Sequence, residues 1–223
     1  MYKRQAEDFN KTALNVFGYD PTDPAVLLVR EALKRARAVL IYRVNSGGDK
    51  ATATIGGMTV TAAWGGTRGN DVAVAVLANA DDATKVDVVT YLDGMVVDTQ
   101  TVVKTEGSAG LKANDFVTFG SASTLEVAVA TKLTGGTNGT VNGGAHTAAL
   151  NGFEVETFSV IGYPGTDATI KALYAAFVKR LRDDEGKKIV GVLYQYAGDN
   201  IGLINVKNGV VLSDGTTVTG DKA

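Results

Sequence analysis

The stretch LTGGTNGT at residues 133–140 holds Gly135, Gly136 and Gly139. A glycine-rich loop can cradle a phosphate with its backbone N–H groups. An ATP-type loop follows its last glycine with lysine and then Ser or Thr, whereas here Thr140 follows Gly139 and no lysine comes next. The spacing does not supply the G-x-G-x-x-G fingerprint of a dinucleotide site either. Turn positions at positive φ account for these glycines without a ligand. The only histidine, His146 in GAHTAA, would have to serve any Ser-His-Asp triad, and no nucleophile elbow adjoins it. EGSAG at 106–110 lacks the first glycine of such an elbow. One histidine and no cysteine exclude His-rich and thiolate metal sites. ANADDAT at 78–84 and RDDEGKK at 182–188 offer oxygen ligands, but neither keeps EF-hand spacing. No cofactor is called for.

The bulk composition sets wider bounds. The chain has 223 residues, 45% hydrophobic and 21% charged, with a net charge of −2. That is enough to bury a sizeable core, and it carries no signature of a nucleic-acid or anionic-membrane partner. No apolar run is long enough for a membrane-spanning helix, so direct membrane insertion is not expected. MYKRQAEDFNK has no apolar segment of the signal-peptide type.

The elements that would position these residues fall into two patterns. Residues 7–17 are expected to be a short helix. Asp23-Pro24 starts a second one, with Val26, Val29, Leu33, Ala36 and Leu40 on an apolar stripe. AVLIYRV, 38–44, reads as a buried strand. From NSGGDK onward the period becomes two. Met58, Val60, Ala62 and Trp64 share one face, and 72–78, 85–92 and 94–103 are further strands. Asp93-Gly94 makes a tight hairpin. Helical periodicity returns after about residue 113. A strand near 157–162, a helix with Ile170, Leu173, Tyr174, Phe177, Val178 and Leu181 on one stripe, and a strand at 188–196 form a βαβ unit with parallel strands. Thr166 or Asp167 caps the helix and Gly186 ends it.

The fold class is therefore α/β, α+β overall, with an inserted antiparallel module. The division is 1–46 for the first part of the α/β core, 47–112 for the β module and 113–223 for the second part of the core. Residues 1–5 continue no pattern, and no strand precedes the first helix. Both ends read as unfinished, as in an internal piece of a longer protein. Lys179, Arg180, Arg182, Asp183, Asp184 and Glu185 cluster at one helical end. They form either a solvated terminus or charged contacts between subunits.

Four stretches resemble the tail sheath proteins of contractile phages and phage-tail-like particles. They are VTAAWGGTRGNDVAVAV (60–76), LTGGTNGTVNGGAHTAALNGFE (133–154), AAFVKRLRDDEGKKIVGVLYQ (175–195) and GLINVKNGVVLSDGT (202–216). The resemblance makes Gly65, Gly66, Arg68, Gly69, Asn70 and Asp71, with Gly135, Gly136, Asn138 and Gly139, structural signature turns. It implies a subtilisin-like α/β core without a triad, and no enzymatic activity. It implies a helical sleeve of sheath subunits around an inner tail tube, with baseplate and tail terminator proteins as partners. The sleeve would contract to drive the tube through a cell envelope. The location implied is the virion tail, after synthesis in the bacterial cytoplasm. The β-sandwich-like module would face outward. The resemblance further implies a C-terminal assembly domain and terminal arms beyond these stretches, which this piece is expected to lack, so it is expected to be monomeric or weakly associating. Two competing readings are a carboxylate-based α/β hydrolase, which needs a deep pocket, and a surface- or carbohydrate-binding module using Trp64, Tyr91 and Phe119.

Overall fold

The computed structural model describes residues 2–45 and 47–220. The chain opens with β1 (Tyr2–Gln5), α1 (Ala6–Phe17), a 3₁₀ turn at Pro24–Val26, α2 (Leu27–Leu33) and β2 (Ala38–Ile41). Strand β1, paired with β2, corrects the expectation of a patternless start. Asp23 caps its helix as expected, accepting from the Ala25 N–H at 2.7 Å. The helix is shorter than the apolar stripe suggests. It ends at Leu33, so Ala36 and Leu40 lie outside it, because the β-branched run that follows is drawn into β2. β2 is half-buried rather than buried.

Two compact units emerge. One comprises Gln5–Arg37 and residues 45–140, the other residues up to Arg4, Ala38–Val44 and residues from Val141 onward. The first holds β3 (Thr52–Ile55), β4 (Met58–Ala62), β5 (Val72–Ala78), β6 (Lys85–Leu92), β7 (Met95–Val103), β8 (Val117–Phe119) and β9 (Ala128–Lys132). These form two antiparallel sheets, ordered β3-β4-β8 and β7-β6-β5-β9. Alternate residues of both sheets meet in one core. Met58, Val60, Ala62 and Val117 come from one sheet and Val74, Val76, Val86, Val88 and Leu92 from the other. Leu14 of α1 packs against it.

The period-two reading holds for Met58, Val60 and Ala62 and fails at Trp64, which is 57% exposed. β4 ends at Ala62, and beyond a strand's end the alternation no longer dictates a face. The expected end of the module at residue 112 is also corrected, because β8 pairs with β4 and β9 with β5. Asp93 and Gly94 both take positive φ, 53° and 79°, as a type I′ hairpin demands. Between β7 and β8 a 3₁₀ strap, Lys104–Gly110, kinks at Gly107 (φ 62°, ψ −139°). Ser108 ties it down, its N–H donating to Ala122 O at 3.0 Å while its Oγ accepts from the Ala122 N–H at 2.8 Å.

The second unit adds α3 (Gly143–Glu154), β10 (Val160–Tyr163), α4 (Ala168–Asp183), β11 (Val190–Tyr194), β12 (Leu203–Val206), β13 (Val210–Val211) and β14 (Thr217–Val218). β10, β11 and β12 form a parallel sheet, and α4 makes the expected crossover from β10 to β11. Asp167 is the α4 cap, its carboxylate accepting from the Ile170 N–H at 2.9 Å. Gly186 turns the chain out with φ 68°. Ile170, Tyr174, Phe177, Val178 and Leu181 bury the helix stripe against Ile161 and Leu193.

Gly191 lies directly against α4. A Cβ there would lie 2.9 Å from Leu203 Cδ2 and 3.0 Å from Val178 Cγ2. Gly191→Val should therefore overpack this layer and cost about 1–3 kcal/mol. Urea unfolding checks this, and an unchanged midpoint would mean that α4 can shift freely.

Candidate functional site

The two glycine-rich turns, 65–71 and 135–139, meet. Asn70 binds the backbone of Gly136 twice, its Nδ2 donating to the carbonyl at 3.0 Å and its Oδ1 accepting from the N–H at 2.9 Å. Asn138 faces Thr67, accepting from its N–H and donating to its Oγ1, both at 3.3 Å. Thr137 Oγ1 accepts from the Asp49 N–H at 3.0 Å and donates to the Asp49 carboxylate at 2.9 Å. The Thr137 N–H donates to Asp49 O at 3.1 Å, and the Gly139 N–H to Asn45 O at 3.0 Å. Thr52 and Thr134 complete the join through a backbone bridge. The amides of Thr134, Gly136, Thr137 and Gly139 are thus engaged by protein oxygens, and the arrangement is a clasp between distant segments.

Four of these glycines have separate reasons. Gly135 sits at φ 83°. Gly136 is pressed against the opposing turn, where a Cβ would lie 2.5 Å from Gly66 O. Gly66 takes φ 135°, and Gly69 is buried on Ala62 and Ala51.

Arg68 secures the same region. Its Nε donates to Gly18 O at 2.7 Å and its Nη1 to Asp71 at 3.0 Å. The guanidinium forks onto both Asp93 oxygens at the β6–β7 turn and stacks 4.4 Å from the Tyr19 ring centre. Those hydrogen bonds hold the Asp93 carboxyl below its usual range.

At the carboxyl ends of the parallel strands, where α/β enzymes place their chemistry, a different cluster lies buried. His146 is 6% exposed, its Nδ1 is 3.3 Å from the Tyr174 hydroxyl, and its ring meets those of Tyr163 and Tyr174 edge-on. Burial pushes the imidazole down and the Tyr174 hydroxyl up to about 12. Lys171 is also buried, donating to Tyr194 O at 3.1 Å. Sequence reasoning missed both the lysine and the tyrosine pair, because the helical stripe marks Tyr174 only as core and Lys171 as polar. The geometry fits a packed core histidine, with a tyrosine where a triad would require a serine.

The pH response follows. Besides Asp93, Thr101 and Asn79 hold Asp87 low, and Arg180 holds Glu154 low. A depressed folded pKa means that the unfolded chain takes the proton first. The stability from these carboxylates is complete above their unfolded values, 3.8 for Asp and 4.5 for Glu, and is lost as pH falls through the folded values. His146 has the same sign, its loss beginning below 6.5. The expected thermal midpoint is flat above about pH 7, sags below the ordinary histidine value and falls again in acid. His146→Phe should remove the first phase alone, and a sag that persists in that variant would contradict the assignment.

The charges at the end of α4 divide. Arg180 binds Glu154 at 2.6 and 3.1 Å and Glu185 at 2.7 Å. Arg182 donates to Ile189 O at 2.7 Å. Lys179, Asp183 and Asp184 are exposed. Carboxylates of the two candidate calcium stretches have partners as well. Asp82 caps Thr84 and pairs with Lys85, and Glu185 pairs with Lys187. Among the described residues no cluster of three metal-ligating side chains occurs. Nor do the three aromatics form a platform, because Phe119 packs against the sandwich core while Trp64 is exposed.

Comparison with known proteins places this geometry. Family models match as follows: the Gp18 domain III N-terminal region of tail sheath protein at 6–44, the phage tail sheath protein beta-sandwich domain at 46–138 and the phage tail sheath protein central domain at 139–223. Two curated Bacillus subtilis (strain 168) proteins, YqbK, described as uncharacterized, and XkdK of the phage-like element PBSX, are each 42% identical over 97% of this chain. The chain spans 49% of the length of each. A solved sheath tail protein of Desulfitobacterium hafniense is 45% identical with a TM-score of 0.91, covering 100% of this chain and 52% of its own. One from Listeria innocua is 38% identical with a TM-score of 0.78, the shares being 99% and 50%.

Proposed function

The chain belongs to the phage tail sheath protein family, and from that premise we infer that it forms part of a subunit that polymerises into a contractile sleeve around an inner tail tube. The sleeve shortens on a baseplate signal and drives the tube through a target envelope, drawing on conformational free energy stored at assembly. Its partners are other sheath subunits, the tube protein, and the baseplate and tail terminator proteins. It works in the virion tail after assembly in the bacterial host's cytoplasm. The β sandwich faces outward, and the α/β part is read as the subtilisin-like core, used for its shape alone.

The observation that carries this reading is the ordered tiling of sheath family models along the chain. The buried, tyrosine-bound His146 supports a role without catalysis. Lys179, Asp183 and Asp184 are proposed as subunit contacts, whereas Arg180, Arg182 and Glu185 serve within the chain.

Antibodies raised against the 223-residue chain test the reading on particles induced from the host that encodes it. Electron microscopy should show label along the full length of the tail sleeve. Label confined to fibres or capsid would sink it.

A further inference from the structure

The parallel sheet has two faces, and the packing differs between them. Register partners share a face. Ile161, Gly191 and Leu203 point to the α4 side with Leu193. The opposite face carries Val160, Gly162, Val192 and Ile204. Val160 is 58% exposed and Ile204 53%. A Cβ on Gly162 would meet nothing nearer than Val192 O at 3.8 Å. Towards the other end of this face the Tyr194 ring lies against Gly220, so the opening has a boundary. Within it the side chains are uncharged and span three adjacent strands. That is a contiguous apolar patch on a kind of sheet that is almost always covered on both sides.

We propose that this face receives an apolar helix from the portion of a sheath subunit's own polypeptide outside the region matched here. Three observations select that occupant. The relatives are about twice as long as this chain, so a whole subunit of their kind carries further polypeptide outside the matched region. An added strand would pair with an edge of the sheet, whereas what needs cover is a face. The empty position at Gly162, next to Val160 on its own strand and to Val192 on the adjacent one, leaves room for one large apolar side chain of a helix to enter. The inference rests on the sheath reading above.

The absence of cysteine makes it testable. Ile204→Cys and, as a control, Met95→Cys at the exposed hairpin tip are made in this chain. The same changes are made at the aligned positions of full-length XkdK freed of any native cysteine. Labelling by a small thiol reagent is followed on the unassembled proteins. The Ile204→Cys thiol should react at least about tenfold more slowly in XkdK than here, with the hairpin-tip thiol equal in both. A photo-crosslinker on the same thiol should map to XkdK residues spaced three or four apart. Equal labelling overturns the proposal. So does protection that arises only in assembled sleeves, which would make a neighbouring copy the cover, and so do crosslinks at alternate residues, which would mean a strand. Should XkdK form no sleeve, the sheath reading fails separately, since labelling of the unassembled subunit still decides the cover.

Discussion

Gly107→Ala is expected to destabilise the sandwich unit by about 4 kcal/mol, lowering its thermal midpoint by roughly 10 °C. Two costs combine. At φ 62° and ψ −139° the residue sits where a side chain is strained. The added Cβ would fall far inside contact distance of Ala122 O and 2.6 Å from the Ser123 carbonyl carbon. Those atoms are backbone, and Ala122 is held by Ser108 on both its N–H and its carbonyl, so nothing nearby yields cheaply. Gly143→Ala supplies the control, because it lies at the start of α3 with open space around it and should be neutral or slightly stabilising. Calorimetry of the two variants decides. If Gly107→Ala melted within a degree or so of the parent, the strap would not be held where it is described.

Arg68→Ala should cost about 2–3 kcal/mol, the second largest loss. The guanidinium is mostly shielded, with 23% of its side chain exposed, while Asp93 is half in solvent, so the pair is worth less than a fully buried one. The greater part of the loss comes from Gly18 O and the Tyr19 ring losing their partner and from Asp71 and Asp93 facing each other without a cation. Arg68→Lys keeps the charge but not the fork, and should recover less than half of the loss. Urea denaturation measures both, and a lysine variant as stable as the parent would show that charge alone suffices. In Arg68→Ala the acid limb due to Asp93 should also flatten, since its carboxyl returns towards 3.8.

The legibility of the fold follows from how far apart its causes lie in the sequence. α4 could be read because Ile170, Tyr174, Phe177, Val178 and Leu181 repeat at helical spacing, with Asp167 and Gly186 at its ends. The Asp93-Gly94 hairpin could be read because two adjacent residues dictate it. Strands β8 and β9 could not. They are three and five residues long, and their pairing partners lie more than 50 residues away. Trp64 was misplaced because alternation has no hold once β4 stops two residues earlier. In the glycine loop the turn reading explains Gly135, but the reason for Gly136 is Gly66 pressing from the opposite turn. The Asn70–Gly136 hydrogen bonds link positions 66 apart, and no local pattern announces such a pair. His146 was readable as unsuited to a triad, but its tyrosine neighbours were not, since α4 and β10 bring them in from elsewhere.

The clasp also sets a timetable for the nascent chain. β5, β6 and β7 are neighbours in sequence and can pair as soon as they leave the ribosome. The open edge of β5 must wait for β9, and β4 for β8, and the two turns cannot close until residue 139 has emerged. At ordinary rates of bacterial synthesis the half-built sheet stands unpaired for roughly 2–7 seconds. Through that interval the core around Val74 and Val76 lacks Val117, Leu125 and Leu133, which share the finished cluster with them. A message broken anywhere between the codons for Val103 and Gly139 would release a polypeptide arrested at that stage, with a bare strand edge ready to join its neighbours in aggregates.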